Sequence, residues 1–347
     1  MSGAAGDGEP MLCFPSDDVI DGDLAGLTVP SPLDGHVAFD ADRVDVVLVD
    51  DRGTVTRFPN WGDASDLVEV LDVRPDGDGR YEGVVRGWSA RRPVVEGSQM
   101  LGQAIVACAR HAPGRRVVSA HMVFLRVADA ARPLSFELDE VSGGRTFTTV
   151  RVGVLQDRRS CATGTFLLDV TAPDVVRHEA ALPASARGGP DAAAPFDMGV
   201  TGRDLRFVDA AYTGDPGAPV GPPVIDAWVR FRSIPEDPAI HAALLAQFTG
   251  HIPIATALRP HAGVGQDEAH RTLSTAVNAI AIAFHADVRA DRWMLYHHES
   301  TFAGDGMTHA ACRVHDEHGR LLASFSVDAM VRAFRSDSGP VDERTSL

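Results

Sequence analysis

The sequence predicts an α+β protein made of two successive modules, each a long helix followed by antiparallel strands. Three observations predict it. Apolar residues recur at helical spacing over residues 97–111. Strand-like runs separated by turn residues follow that helix. After an Ala-, Pro- and Gly-rich stretch at 171–202, the same order of elements returns. The chain has 347 residues, enough for two domains with sizeable cores.

The elements follow in order. Residues 1–15 are read as disordered and 16–62 as an N-terminal extension. Within the extension, a β-rich run at 44–49, the turn residues Asp51-Arg52-Gly53 and a second run at 54–56 read as a hairpin. The first module spans 63–170. It opens with a strand at 67–73, a Pro-Asp-Gly-Asp-Gly turn and a second strand at 81–88. Its helix at 97–111 places Met100, Leu101, Ala104, Ile105, Ala107 and Cys108 toward a sheet. Strands at 116–127, 134–141, 145–156 and 163–170 complete it. Residues 171–202 read as a linker. The second module, 203–335, reads as strands at 204–212 and 225–232, helices at 239–248 and 252–258, then strands at 272–285, 293–299, 307–315 and 321–331. Residues 336–347 are a tail.

Composition narrows the function. The formal charge is −16, and the basic residues are Arg and His with no Lys. Such a chain does not track nucleic-acid phosphates. No run approaches the ~18 apolar residues of a membrane span, and residues 1–10 lack a signal pattern, so a cytoplasmic protein is expected. The four cysteines, at 13, 108, 161 and 312, have no metal-binding spacing, and Cys108 reads as a buried thiol.

Several segments resemble one family. Arg92-Pro-Val-Val-Glu-Gly-Ser-Gln99-Met-Leu-Gly102-Gln103-Ala104, Ser119-Ala-His121-Met-Val-Phe124, Gly144-Arg145-Thr146-Phe147 and Val154-Leu155-Gln156 resemble motifs of the TesB-like acyl-CoA thioesterases. So do Leu258-Arg-Pro-His261, Phe284-His285, Trp293-Met-Leu-Tyr296, Glu299-Ser-Thr301 and Leu322-Ala-Ser324 in the second half, in the same order and spacing. The resemblance covers about 66–335. It implies a double hotdog, two fused hotdog folds whose antiparallel sheets each wrap a long helix. It also implies action on an acyl-CoA or acyl-carrier thioester, no cofactor or metal, and a homo-oligomer.

The same resemblance implies a catalytic trio: an Asp at the start of the second-half helix, a Thr on the next strand and a Gln on the last strand. These positions fall on Gly250, Val277 and Val327. None of the three side chains can hold a water or accept its proton. A one-residue bulge would bring Asn278 or Thr275 to the Thr position instead. The expectation is a dry apolar wall at that site, with Thr249 capping a helix. A second site is expected at the start of the first helix. There Glu96 is the candidate base or nucleophile, with His121 as its acid/base partner. Gly97 would give close approach, and Gln99 would orient substrate, with the helix N-terminus polarising a carbonyl. His251, beside Gly250, is expected to face solvent, and of His297 and His298 at most one faces a pocket. The readings left open are a thioesterase using Glu96, a diverged enzyme (dehydratase, isomerase, decarboxylase or cyclase) in lipid or polyketide-type metabolism, and a non-catalytic acyl-binding protein.

Overall fold

The structure is a computed structural model that describes residues 63–85, 94–198, 200–212, 217–269 and 272–333, with four short strands before them. Residues 1–15, the tail at 336–347, Arg91-Arg92, Cys13 and the end of the strand expected at 81–88 lie outside the described residues.

The four strands are β1 (Thr28–Ser31), β2 (Gly35–Phe39), β3 (Val46–Asp50) and β4 (Val55–Phe58). They pair as an antiparallel meander, and the last two are the hairpin that the turn residues announce.

The strand expected at 67–73 is a helix instead, α1 (Ala64–Leu71). Asp63 accepts from the Ser65 N–H at its start, and Ala64, Leu67, Val70 and Leu71 are buried. Those positions fit a helical stripe as well as a strand, and the Asp-x-Ser cap decides between them. The turn at 76–79 then joins β5 (Arg74–Pro75) to β6 (Arg80–Gly83).

Helix α2 (Gly97–His111) is buried on every side from Ser98 to Cys108. Strands cover one flank, and α1 and α3 (Pro238–Phe248) cover the other. Gly102 permits the close approach of α3, since a Cβ there would meet the Ala243 carbonyl at 3.0 Å. Gln103 donates to the carbonyls of Val70 (2.9 Å) and Val84 (2.8 Å), tying α2 to α1 and to the chain after β6.

The strands β7 (Arg116–Phe124), β8 (Leu134–Gly143), β9 (Phe147–Gln156) and β10 (Arg159–Asp169) make the first half-sheet with β5 and β6. The second half contains β11 (Ala194–Pro195), β12 (Arg203–Phe207) and β13 (Val224–Phe231), then α3 and α4 (Pro253–Leu258). It ends with β14 (Leu273–Phe284), β15 (Met294–Gly304), β16 (Met307–Asp316) and β17 (Leu321–Ala333). The halves join edge to edge where β14 pairs with β7, Ile280 opposite Met122 and Ile282 opposite Ala120. The result is one 13-stranded sheet around the helices. This is a double hotdog.

Residues 171–202 do more than link the halves. The chain runs over the outer face of the second half-sheet. There Ala186 and Ala193 pack on Trp228, Trp293 and Leu295. Ser185 donates to Asp226 at 2.5 Å, and His315 meets the Ala180 carbonyl at 3.1 Å. Low complexity suggests a loose linker, but small residues lie flush on a flat sheet face.

Candidate active site

The site forms where α2 begins. Glu96 is its N-cap in extended conformation, and its side chain does not cap the helix. Within the first turn the Gln99 and Met100 N–H groups reach back to the Glu96 carbonyl, at 3.1 and 3.2 Å. The N–H groups of Gly97 and Ser98 project from the helix end, as first-turn donors do.

The Glu96 carboxylate turns instead toward the end of α3. Gln247 Nε2 donates to it at 3.2 Å, and His251 Nε2 lies 3.9 Å away. A quarter of the side chain, 25 %, stays exposed. Burial pushes the carboxyl up to about 7, against the opposing pull of the Arg203 charge and the Gln247 hydrogen bond. The same burial brings Arg203 down to about 10, and Glu96 counteracts it. Arg203, from β12, lies over the Phe248 ring at 5.5 Å. Phe248 stacks on His251 at 4.9 Å and meets Tyr296 edge-on at 5.0 Å. Burial, with the Arg203 charge second, holds His251 well below its ordinary value, so it is neutral at pH 7. A neutral imidazole therefore stands beside a carboxyl poised near half-ionisation.

Gly250 lies between Gln247 and His251 in sequence, in the turn from α3 to α4 and not at a helix start. It faces Ser98 of α2: a Cβ at position 250 would come within 2.8 Å of Ser98 Oγ. The two expected sites are thus one place. It lacks a carboxylate on the α3–α4 turn and has one, Glu96, on the facing end of α2.

Val277 and Val327 stand on neighbouring strands, with Val277 opposite Ala329 and Ile280 opposite Val327. A bulge between Val277 and Ala279 leaves Asn278 as the extra residue of β14. The bulge resets the alternation, so Val277 packs on the same core as Ile280 while Thr275 is buried beyond it. Asn278 falls beside Phe124 in the β7 register, and its Oδ1 is buried without a hydrogen-bond partner.

Several expectations are corrected. His121 is exposed on the outer face of β7, because strand alternation puts Ala120 and Met122 on the α2 side; it cannot partner Glu96. The close approach that Gly97 allows is to the Phe124 ring and not to a ligand, since a Cβ there would lie 2.8 Å from that ring. Thr249 ends α3, donating to the Ala246 carbonyl at 2.6 Å, and does not cap a helix start. His251 is 2 % exposed and does not face solvent. His297 and His298, by contrast, alternate as expected, His297 pairing with Asp226 at 2.6 Å beneath residues 171–202 and His298 facing the core, and both are buried. The surroundings of Gly250 are not wholly apolar either, since Ser98 faces it and Gln247 holds Glu96 nearby.

Arg203, Gln247 and Ser98 are the residues that sequence reasoning missed. His298 is singled out by the sequence only as one of a pair, without saying which of the two faces inward. Arg203 follows a Gly in a low-complexity stretch and carries no local mark. Among the described residues no group of three or more side chains suits a metal ion.

Residues 84–168 match the profile of the acyl-CoA thioesterase N-terminal domain, and 178–330 that of the acyl-CoA thioesterase C-terminal domain. The chain belongs to the acyl-CoA thioesterase family. Within that family, acyl-coenzyme A thioesterase 8 of Mus musculus is 25 % identical over 323 residues, covering 82 % of this chain and 95 % of that protein. Acyl-CoA thioesterase 2 of Haemophilus influenzae is 24 % identical, covering 77 % of this chain and 97 % of its own length. Among solved structures, the acyl-CoA thioesterase II TesB2 of Mycobacterium marinum is similar with a TM-score of 0.65 and 26 % identity, over 77 % of this chain and 98 % of that one. The acyl-CoA thioesterase match starts after α1, so β1–β4 and α1 lie outside it.

Proposed function

We propose that the chain hydrolyses acyl-CoA thioesters at the start of α2, with Glu96 as the general base. The observation that supports this most is a carboxyl raised to about 7 on the residue that begins α2, whose first-turn N–H groups belong to Gly97 and Ser98. In this reading a water attacks the thioester carbon and Glu96 takes its proton. The carbonyl oxygen gathers charge against those N–H groups. The tetrahedral adduct then collapses with loss of the coenzyme A thiolate. Gln247 holds the carboxylate in direction, and the Arg203 charge keeps a working share ionised at neutral pH.

Thiol release from an acyl-CoA panel tests it. Glu96→Gln lowers kcat/KM by about 10²–10⁴-fold, and the wild-type rate rises with pH around an apparent pKa near 7. Equal activity in the variant defeats the proposal.

One observation favours a second reading. Glu96 and the neutral His251 come from the two halves and sit 3.9 Å apart, an arrangement suited to moving a proton on the acyl chain by dehydration or isomerisation. Turnover seen by mass spectrometry without thiol release supports it. A cytoplasmic setting, a role in lipid or polyketide-type metabolism and a homo-oligomer complete the proposal, and light scattering of the purified protein tests the last.

A further inference from the structure

We infer that the acyl group this site takes carries hydroxyl groups and is not a plain alkyl chain. The inference rests on the reading above and concerns the polar atoms around Glu96 that hydrolysis does not use.

Gln99, one turn into α2, is 0 % exposed, and neither atom of its amide has a hydrogen-bond partner. Whichever way that amide is turned, it offers a donor pair and an acceptor. Gln247 is equally buried. Its nitrogen donates to Glu96, which leaves Oε1 buried and unmatched. Asn278 Oδ1, at the bulge beside Phe124, is unmatched as well. The sharpest case is His298, also 0 % exposed. Its Nδ1 lies 3.1 Å from the Ile225 carbonyl, which can only accept, so Nδ1 carries the proton. Burial keeps the ring neutral, with its pKa near 4. Nε2 is therefore a bare lone pair, buried and unmatched, above the Tyr296 ring at 6.0 Å.

Gln247 and His298 belong to one chain of contacts that starts at Glu96, and Gln99 lies in the helix turn that Glu96 begins. Gln247 touches Glu96, Phe248 bridges His251 to Tyr296, and Tyr296 stacks on His298. Elsewhere among the described residues such atoms are dispersed: Gln103, His241 and His315 each leave one atom unmatched and bond through another, and Trp228 Nε1 and Gln266 Oε1 stand unmatched away from Glu96.

What remains at the site is mainly acceptors, and acceptors need donors. A thioester carbonyl has no donor, and an alkyl chain has none. The attacking water has two O–H bonds, one of them committed to Glu96. Each buried polar atom left unmatched costs about 1–3 kcal/mol. Hydroxyls on the acyl chain supply donors for Gln247, Asn278 and His298 and an acceptor for Gln99. Sites built this way discriminate strongly against ligands that lack the hydroxyl.

The test compares 3-hydroxy- and 5-hydroxyacyl-CoAs with saturated acyl-CoAs of equal length. Two readouts run together: thiol release, and the rise in Tm caused by binding. Expected is a kcat/KM preference of at least about 10-fold for one hydroxylated series, mirrored in the Tm shift. In His298→Phe, which keeps a ring on Tyr296 without the acceptor, that preference falls toward unity. Saturated chains bound and hydrolysed as well as hydroxylated ones overturn the inference and leave the hydrolase reading intact. Absence of thiol release from every substrate defeats the hydrolase reading, and the Tm comparison then decides the acyl class alone. The wild-type ratio is decisive even if His298→Phe does not fold.

Discussion

Gln99 and Gln103 lie one turn apart on the same face of α2, and both are wholly buried. Gln103 donates to two backbone carbonyls from α1 and the chain after β6, leaving only its own oxygen unmatched. The Gln99 side-chain amide bonds to nothing among the described residues. The same residue type, at the same depth, is a structural tie in one turn and an unused hydrogen-bonding group in the next. On the proposal above, the difference marks where the helix stops serving the fold and starts serving a ligand.

The largest stability effect is expected on the structural side. Gln103→Leu strands the Val70 and Val84 carbonyls in the core and costs about 2–4 kcal/mol, read by denaturant unfolding. A cost near zero breaks the contrast with Gln99.

Next is the pH dependence at the ligand end. The folded pKa of Glu96, about 7, lies above its ordinary value of 4.5. The unfolded chain therefore releases this proton first as pH rises. Stability linked to the group is full below about 4.5 and is lost as pH climbs through 7. Glu96→Gln removes that loss, so the variant gains about 2 kcal/mol on the wild type between about pH 5 and about pH 8. Parallel stability profiles for the two proteins contradict the raised value.

A smaller effect measures how tightly the two helix ends meet. Gly250→Ala pushes a methyl against Ser98 Oγ and costs about 1–3 kcal/mol, while Ser98→Gly in the same chain relieves most of it. An Ala tolerated without loss means that the end of α2 is looser than its contacts indicate.

The smallest stability change belongs to Gln99→Leu. Replacing an unmatched buried amide by an apolar group of similar size is neutral within about 1 kcal/mol or mildly stabilising. Substrate affinity falls all the same. Destabilisation as large as that of Gln103→Leu erases the distinction.

Most of the fold is legible in the sequence. The periodicity of 97–111 matches α2, and most strands from 116 to 331 lie where their alternation and turns put them, although the one expected at 204–212 ends at Phe207 and gives way to a 3-10 turn. The segment at 67–73 misleads because it is short enough to satisfy both periods, and the Asp63 cap settles it. The site is less legible. Sequence singles out Glu96, Gln99 and Asn278, yet it turns His251 to solvent, places Glu96 and Gly250 in separate sites and gives Glu96 a partner, His121, that lies on the far side of the sheet.

By itself, the sequence determined the element order, the two-module plan and the family, because hydrophobic period, turn chemistry and colinear motifs are local properties of the chain. Tertiary structure alone decided that residues 96, 203, 247 and 251 meet, since that contact follows from packing α2 against α3 across more than a hundred residues of chain. It also decided which of two buried glutamines is satisfied. Hydrogen-bond satisfaction depends on what lies across the gap, and spacing along the chain does not record it.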